Sequence, residues 1–291
     1  MESSRSQEFI PVNIPSASAL TDFNKRQSTQ NVIGFSVCSL SLEEHLNQIL
    51  KWAEARLSKV VCVANVHMLM EGHWHDDFSQ ILKQADMLTP DGMPLAWMVS
   101  WLRSKQQDRV AGMDLLLGLC QKVQQRQKVQ QTVKFFFVGS TPDVLSRMEA
   151  RLQRDFPLVE IAGIANFPFR PLTEEEDQAL VKQINASGAG IVFVSLGCPK
   201  QERWMNEHRG KVRAVMIGLG GAFPVFAGKI KRAPASVRKL GLEWLYRLVQ
   251  EPGRLWQRYA STIPPFVFLA MRQAFLRDDL QHEPRWRDEN L

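Results

Sequence analysis

The sequence predicts an α/β protein with a Rossmann-like, doubly wound and mostly parallel sheet that carries a C-terminal helical appendage. Strand-like runs that are apolar throughout, such as KFFFVGS and IVFVSLG, recur along the chain and alternate with segments of helical spacing. Strands of this kind are buried on both faces, as in a parallel sheet covered by helices. After Ala227 the strand-like runs stop and only helical patterns continue, which predicts the appendage.

The first half of the chain contains the predicted strand VIGFSVCSL, which leads into a helix ending near Leu57. Ser41 and Glu44 have the spacing of a capping box that opens this helix. The next elements are the strand KVVCVANV, a helix from about Asp76 to Gln84, the short strand DMLTPDG, the apolar helix MPLAWMVSWLR and a helix from about Met113 to Gln127.

The second half repeats the strand and helix unit. KFFFVGS precedes a helix that Thr141 caps, with Pro142 as its first residue and an end near Arg154. VEIAGIAN, a helix capped by Thr173 with Glu176, and IVFVSLG follow, so we expect about six strands in the sheet. In the appendage, we expect the prolines to divide the chain into short helical segments, at Pro234, Pro252 and Pro264-Pro265.

Four segments are predicted: a flexible polar tail over 1–30, an α/β domain over 31–227, a basic amphipathic helical appendage over 228–280 that associates with membranes, and a polar tail over 281–291. A hydrophobic content of 45% in 291 residues suits a sizeable core. No run of about 18 apolar residues occurs, so no helix is predicted to span a bilayer. The four cysteines lack CxxC spacing, which favours a reduced, cytosolic protein.

The positive charge of the chain is concentrated in the appendage. Ten of the lysines and arginines lie between Lys229 and Arg277, against Glu243 and Glu251 only. Such a segment fits nucleic acid, an anionic membrane surface or a merely solvated face. Trp and Leu side chains recur beside the arginines at near-helical spacing, which favours a membrane surface over nucleic acid.

The stretch from Ile191 to Ala227 has the features of a ligand site. Two strand-like runs end there in glycine, and we expect Gly197–Gln201 and Gly218–Ala222 to line one wall of a crevice at the carboxyl ends of the strands. Pro199 suits the first turn of a helix, whose free N–H groups favour anions. GLGGAF leaves the pattern GxGxxG incomplete, so a nicotinamide-dependent oxidoreductase is kept only as an alternative.

Six motifs occur in one order over about residues 30–260: ANxxxL, ADxxxPDGxP, RVxGxDL, GxPKQExW, GxGGAF and GKxKRAP…GLEWLYRLxxEPxRLxxRY. Together they resemble the WecG/TagA/CpsF family of glycosyltransferases. The resemblance implies inverting transfer of a hexose or N-acetylhexosamine, such as ManNAc, from a UDP-sugar to a polyprenyl-diphosphate-linked sugar. It also implies a peripheral position on the cytoplasmic face of the plasma membrane and a role in cell-surface polysaccharide synthesis.

The same resemblance makes Asp91 of Pro-Asp-Gly the general base that takes the proton of the acceptor hydroxyl. The resemblance also puts Arg109 in the pocket, where it can hold a phosphate; the alternative is a loop salt bridge with Asp114 of little energetic worth. The residues expected to contact the substrates are Asn65, Arg109, Asp114, Gly139, Gly197, Lys200, Gln201, Glu202 and Gly220. Those expected to meet the lipid diphosphate or the membrane are Arg247, Arg254 and Arg258.

No cofactor and no metal are expected, because the chain lacks the DxD pair that commonly holds Mg²⁺ or Mn²⁺ in such enzymes. His67, His73 and His75 raise a metal alternative. However, we expect them in a strand-to-helix connection as plain polar surface. The expected partners are the UDP-sugar, the lipid-linked acceptor and an anionic membrane surface, without nucleic acid; the sequence leaves the donor sugar, the linkage and a possible homo-oligomer open.

Overall fold

The structure, a computed structural model, describes residues 28–127, 133–168, 170 and 172–281. Most of the predicted tail over 1–30 and nearly all of the tail over 281–291 therefore lie outside the described residues. The strands are β1 Thr29–Val32, β2 Phe35–Cys38, β3 Lys59–Ala64, β4 Met87–Pro90, β5 Phe135–Gly139, β6 Ile161–Ala165, β7 Ile191–Ser195 and β8 Val215–Gly218.

Six of these strands form one parallel sheet in the order β4-β3-β8-β7-β5-β6. Alternate residues of a strand pack into the two hydrophobic cores on opposite faces of the sheet. Val61 and Val63 of β3 join the core on one face, whereas Val60, Cys62 and Ala64 join the core on the other. Burial on both faces explains why these strands are apolar throughout. The predicted α/β fold with a doubly wound parallel sheet is confirmed.

The helices cover the sheet and continue beyond it. Their bounds are α1 Leu42–Glu54, α2 Val66–Trp74, α3 Asp76–Gln84, α4 Met93–Arg103, α5 Gly112–Gln127, α6 Pro142–Asp155, α7 Glu174–Ser187, α8 Lys200–Glu207, α9 Ala222–Phe226, α10 Ala235–Lys239, α11 Glu243–Gln250 and α12 Pro252–Gln281.

Three predicted helix starts are confirmed in detail. The hydroxyl of Ser41 accepts the N–H of Glu44, whose carboxylate accepts the N–H of Ser41, and Thr173 and Glu176 form the same box. Thr141 caps α6, which begins at a proline. Each cap satisfies backbone N–H groups that have no partner inside the helix.

The single strand predicted at VIGFSVCSL is wrong. The segment contains the last residue of β1, a turn and the whole of β2, which pairs with β1 as an antiparallel hairpin. The turn consists of Ile33 and Gly34, both with positive φ. The pairing of Val32 with Phe35 across this tight turn separates the apolar run into two strands. The physical reason is the left-handed backbone at Gly34, which favours a reversal of the chain.

The predicted break at Pro264-Pro265 is also wrong, because both prolines lie inside the 30-residue helix α12. Interior prolines each remove a helix hydrogen bond and cost roughly 3 kcal/mol. Contacts with the rest of the protein offset that cost: α12 packs along α2, and Phe266 is buried in one of the two cores. Pro252, in contrast, begins the helix as predicted.

The appendage is held to the sheet domain by polar contacts as well. Oε1 of Gln273 accepts the N–H of Ile33 at 2.8 Å, and Nε2 of Gln273 donates to the carbonyl of Asn31 at 2.6 Å. These bonds join α12 to the β1-β2 hairpin. The N-terminal and C-terminal parts of the described chain therefore meet on one side of the sheet.

Candidate active site

A cavity of about 750 Å³ lies at the carboxyl edge of the parallel sheet. Asn65 follows β3, Asp91 follows β4, Gly197 comes shortly after β7, and Leu219 follows β8; all four line the cavity. The other walls include residues of α4 and of the appendage helices α11 and α12. Ligands of open parallel sheets bind at this edge.

The two glycine-rich stretches form one wall, where the sequence places them. Gly197, Cys198 and Gln201 contribute from the first stretch, and 218–222 from the second. A Cβ on Gly218 would lie 2.9 Å from Nε2 of Gln201, and one on Gly221 would lie 2.8 Å from Nη2 of Arg247. Close packing by these two side chains explains the glycines of GLGGAF without a nicotinamide cofactor.

Asp91 presents the carboxyl group of the cavity that is best suited to accept a proton. Its backbone N–H donates to the carbonyl of Ala64 at 2.7 Å, which fixes the turn after β4 beside the end of β3. Burial raises the pKa of Asp91 to about 6, against the effect of the Arg109 guanidinium and with a further contribution from Glu243. A base with a pKa close to the working pH combines ionisation with proton affinity.

Arg109 connects the sheet domain to the appendage. Its guanidinium donates to Glu243 on α11 and, at 3.3 Å, to Oδ2 of Asp114, whose other oxygen accepts from Arg232. The four side chains are largely shielded from solvent. A part-buried network of this kind holds its members in place more firmly than an exposed loop salt bridge does. Arg109, Arg232 and Glu243 line the cavity, whereas Asp114 lies behind them.

Two cations of the cavity, Arg247 and Arg258, pair with no carboxylate within the described ranges, and the Nε atom of each is buried without a partner. Among the described residues, the side chain of Arg258 makes one hydrogen bond, a long one of 3.5 Å from Nη2 to Oδ1 of Asn65. Burial lowers the pKa of Arg258, and a bound anion would offset that effect. Arg254 differs, because it donates to both carboxylate oxygens of Glu251, at 3.1 and 2.7 Å.

Asn65 and His67 line the cavity at the start of α2. Oδ1 of Asn65 accepts the N–H of Met68 at 3.1 Å as the helix cap, which leaves its amide N–H groups for a ligand. Burial, with Arg258 nearby, lowers the pKa of His67 to about 4, so this histidine is neutral at pH 7. The expected strand-to-helix connection is wrong: His67 and His73 belong to α2, and His75 follows its last residue, because α2 begins directly after β3.

Gln201 is oriented by its neighbour Glu202. Nε2 of Gln201 donates to Oε1 of Glu202 at 2.7 Å, and Glu202 is fully buried behind the cavity wall. Burial raises the pKa of Glu202 to about 7. Nε2 is thus engaged, whereas Oε1 of Gln201 has no partner in the described part of the chain, and a Cβ on Gly220 would lie 3.1 Å from it. Gln201 therefore offers an acceptor at the cavity wall.

Several residues predicted to contact substrate do not line the cavity; they are Asp114, Gly139, Lys200 and Glu202. Lys200 is exposed at the start of α8. Position 139 requires glycine for a structural reason, because its φ is +87° and a Cβ would lie 2.6 Å from the carbonyl oxygen of Ser195. A direct contact of these four residues with a substrate stays a prediction.

The sequence reasoning missed other lining residues. These include Glu243, Arg232 and Arg238 of the appendage and Trp97 and Trp101 of α4. In the sequence, Glu243 is one of two negative charges in a basic segment and belongs to the motif GLEWLYRL. Neither feature shows its partner, because only the docking of α11 against the sheet domain brings Glu243 to Arg109.

The described helices include none that is both long enough and apolar enough to cross a bilayer. In the same part of the chain, no group of three or more His, Cys, Asp or Glu side chains is placed to hold a metal ion. Large apolar side chains are nevertheless exposed on the appendage, at Leu240, Leu242, Trp244, Leu245, Val249, Trp256, Val267, Phe268, Met271 and Phe275.

Comparison with known proteins gives a family model, "Glycosyl transferase WecG/TagA/CpsF family", that matches residues 30–279. Two curated relatives are each named N-acetylglucosaminyldiphosphoundecaprenol N-acetyl-beta-D-mannosaminyltransferase. The one from Bacillus spizizenii is 35% identical over 213 residues, 73% of this chain and 78% of its own length. The one from Bacillus subtilis is 31% identical over 237 residues, 80% of this chain and 84% of its own length. The chain is thus an α/β glycosyltransferase that belongs to the WecG/TagA/CpsF family.

Proposed function

We propose that this enzyme transfers an N-acetylhexosamine, ManNAc or a close analogue, from a UDP-sugar to a polyprenyl-diphosphate-linked sugar with inversion at the anomeric carbon. The names of both relatives support the transferred sugar and a lipid-diphosphate acceptor. The observation that carries the proposal is the cavity itself. It combines one carboxyl group of raised pKa, Asp91, with arginines that have no carboxylate partner in the described chain.

In the proposed reaction, the ionised carboxylate of Asp91 takes the proton of the acceptor hydroxyl. The oxygen of that hydroxyl forms a bond to C1 of the donor sugar, while the bond from C1 to the phosphate oxygen of UDP breaks and its electron pair leaves with UDP. Attack from the face opposite to UDP inverts C1. The negative charge that grows on the leaving diphosphate needs fixed positive groups nearby.

The cavity supplies those groups in excess. Seven lysine and arginine side chains line it, against the carboxylates of Asp91 and Glu243. Two diphosphates take part in the reaction, one on the donor and one on the acceptor. The lack of a carboxylate partner at Arg247 and Arg258 within the described residues supports the binding of one of them at this position.

The appendage supports a location at an anionic membrane surface, where the enzyme would meet a lipid-linked acceptor; the cytoplasmic side is part of the proposal. Its exposed tryptophan, leucine and phenylalanine side chains lie on helices that also carry Arg247, Arg254 and Arg258. This is the composition of an interfacial helix.

The variant Asp91→Asn tests the assignment of the base. The amide keeps the shape and loses the proton acceptor, so transfer should fall by roughly 10²- to 10⁴-fold. The affinity for UDP, measured by calorimetry, should stay within a few-fold of the wild type. Transfer is measured by mass spectrometry with UDP-sugars and a short-chain polyprenyl-diphosphate-GlcNAc analogue.

Asp108→Asn is the matched control. Asp108 is exposed, lies one residue before Arg109 and does not line the cavity, so this variant should transfer sugar at the wild-type rate. Near-normal turnover in Asp91→Asn would contradict the assignment. An oxidoreductase would instead change NADH fluorescence on mixing with substrates, and we expect no change.

A further inference from the structure

The cavity has two ends of different chemistry. At one end the lining side chains include Arg247, Arg254 and Arg258. At the other end, every lining residue of α12 from Ile263 onward is apolar, as are those that α4 contributes. We call this second end the apolar cleft; it is lined by Trp97, Met98, Trp101, Phe266, Ala270 and Ala274 among others.

The two ends are joined along α12. Lining residues occur in each turn of this helix, from Arg254 and Arg258 through Thr262 and Phe266 to Ala270 and Ala274. Arg258 and Ala274 are about 24 Å apart along the helix axis at 1.5 Å per residue. A ligand in the cleft is therefore continuous with the cationic end.

The side chains of the apolar cleft are incompletely covered by protein. Trp97 is 58% exposed, Trp101 45% and Met271 53%. Contiguous exposed apolar surface of this kind is unusual on a soluble protein without a partner. The side chains of Ala270 and Ala274 on α12 are small, so they leave the cleft open between α4 and α12.

The outer apolar side chains of the appendage form a separate set. Val249, Trp256, Phe268 and Phe275 are at least as exposed, yet none of them lines the cavity. A bilayer in contact with the outside of the appendage would cover this outer set. It would leave the inward-facing cleft without an occupant, so the cleft needs a ligand of its own.

We propose that the apolar cleft binds the first isoprene units of the acceptor, so that the protein holds the lipid chain next to the diphosphate. This proposal rests on the proposed function and deepens it. A ligand that fills both ends must be an anion with an apolar tail. A nucleotide sugar has no such tail, whereas a polyprenyl diphosphate has both parts in the required order.

The test compares two acceptors that carry the same diphosphate-linked sugar, one on a single isoprene unit and one on farnesyl, in solution without vesicles. We expect the wild-type kcat/KM to be at least about tenfold higher for the farnesyl acceptor, because more apolar surface is buried. Ala274→Phe, which fills the cleft, should bring the two values close together. Trp97→Ala, which removes one wall at an exposed position, should reduce the ratio as well.

Ala260→Phe is the matched control, since Ala260 is exposed on the same helix and does not line the cavity. It should keep the wild-type ratio. Equal wild-type values for the two acceptors, or a ratio unaffected by both cleft variants, would overturn the proposal. A chain-length dependence that arises only when vesicles are added would also overturn it and assign the cleft to bilayer lipid.

A binding measurement separates this proposal from the proposed function. Calorimetry should show that farnesyl diphosphate binds the wild type at least about tenfold more tightly than dimethylallyl diphosphate, and that Ala274→Phe reduces the difference. If the wild type transferred no sugar to either acceptor while this difference persisted, the proposed function would fail and the lipid cleft would stand. Equal affinities of the two diphosphates would reject the cleft alone.

Discussion

Asp91→Asn is expected to stabilise the free enzyme while it abolishes transfer. Burial holds the pKa of this carboxyl at about 6, compared with an ordinary value of 3.8, so ionisation is less favourable in the folded chain than in the unfolded one. A raised pKa of this kind contributes stability at low pH that is lost as the pH rises through 6. At pH 8 the loss amounts to about 3 kcal/mol, and at pH 5 to about half of that. The amide does not ionise and avoids the loss.

Urea unfolding of wild type and variant at pH 8 and pH 5, without substrate, measures this effect. The free energy of unfolding of the variant should gain about 1 to 2 kcal/mol relative to the wild type between pH 5 and pH 8. Differences that the amide causes by shape alone are the same at both pH values and cancel. Other groups that titrate in this range, such as Glu202, cancel between the two proteins.

The same measurement on Asp108→Asn should give no pH-dependent difference, because Asp108 is exposed. A relative stability of Asp91→Asn that is constant with pH, or that falls as the pH rises, would refute the reasoning. It would mean that the attraction of Arg109 outweighs burial and that the carboxyl is already ionised well below pH 6. Asp91 would then be a weaker base than the cavity implies.

Three further predictions concern the same cavity. The wild-type kcat/KM should fall as the pH drops through about 6, to roughly one-tenth of its plateau at pH 5. Glu243→Gln removes a neighbouring negative charge and should shift this acidic limb of the pH profile to lower pH. An acidic limb that is unchanged or shifted to higher pH would contradict the assignment. Arg247→Ala should raise KM for the lipid-linked acceptor more than Arg254→Ala does, because Glu251 already pairs with Arg254. Equal effects of these two single changes would count against a special role for Arg247. The double charge reversal Arg247→Glu with Arg254→Glu should also release the protein from anionic vesicles in a pelleting assay. Transfer should survive EDTA, and a loss of activity that added Mg²⁺ or Mn²⁺ restores would disprove metal independence.

Local sequence signals predicted most of the sheet domain correctly. The caps at Ser41, Thr141 and Thr173 work through side-chain hydrogen bonds within three residues. The strands that are buried on both faces are apolar at successive positions, and this pattern is visible within each strand. Both kinds of signal lie within one element. The wall formed by Gly197 and Gly218 was predictable for a related reason, since strand ends in a parallel sheet meet at one edge.

Two of the failures come from contacts between distant parts of the chain. No local pattern shows that Phe266 is buried, yet the packing of α12 is what keeps Pro264 and Pro265 inside a helix. In the same way, Glu243 reads as one acidic residue in a basic segment until α11 brings it to Arg109, 134 positions away. Proline counts and charge counts describe a segment, whereas the site depends on what that segment docks against.

The docking of the appendage limits how enzymes of this family can be recombined. A chimera that joins one sheet domain to another appendage at residue 227 would replace two walls of the cavity as well as the exposed apolar side chains of α11 and α12. To close correctly, the donor helices must provide a carboxylate for Arg109, as Glu243 does, and an amide for the β1-β2 hairpin, as Gln273 does. Under the proposed function, exchanging appendages would exchange acceptor preference together with membrane attachment, and a library of such hybrids should be built with these two contacts held constant.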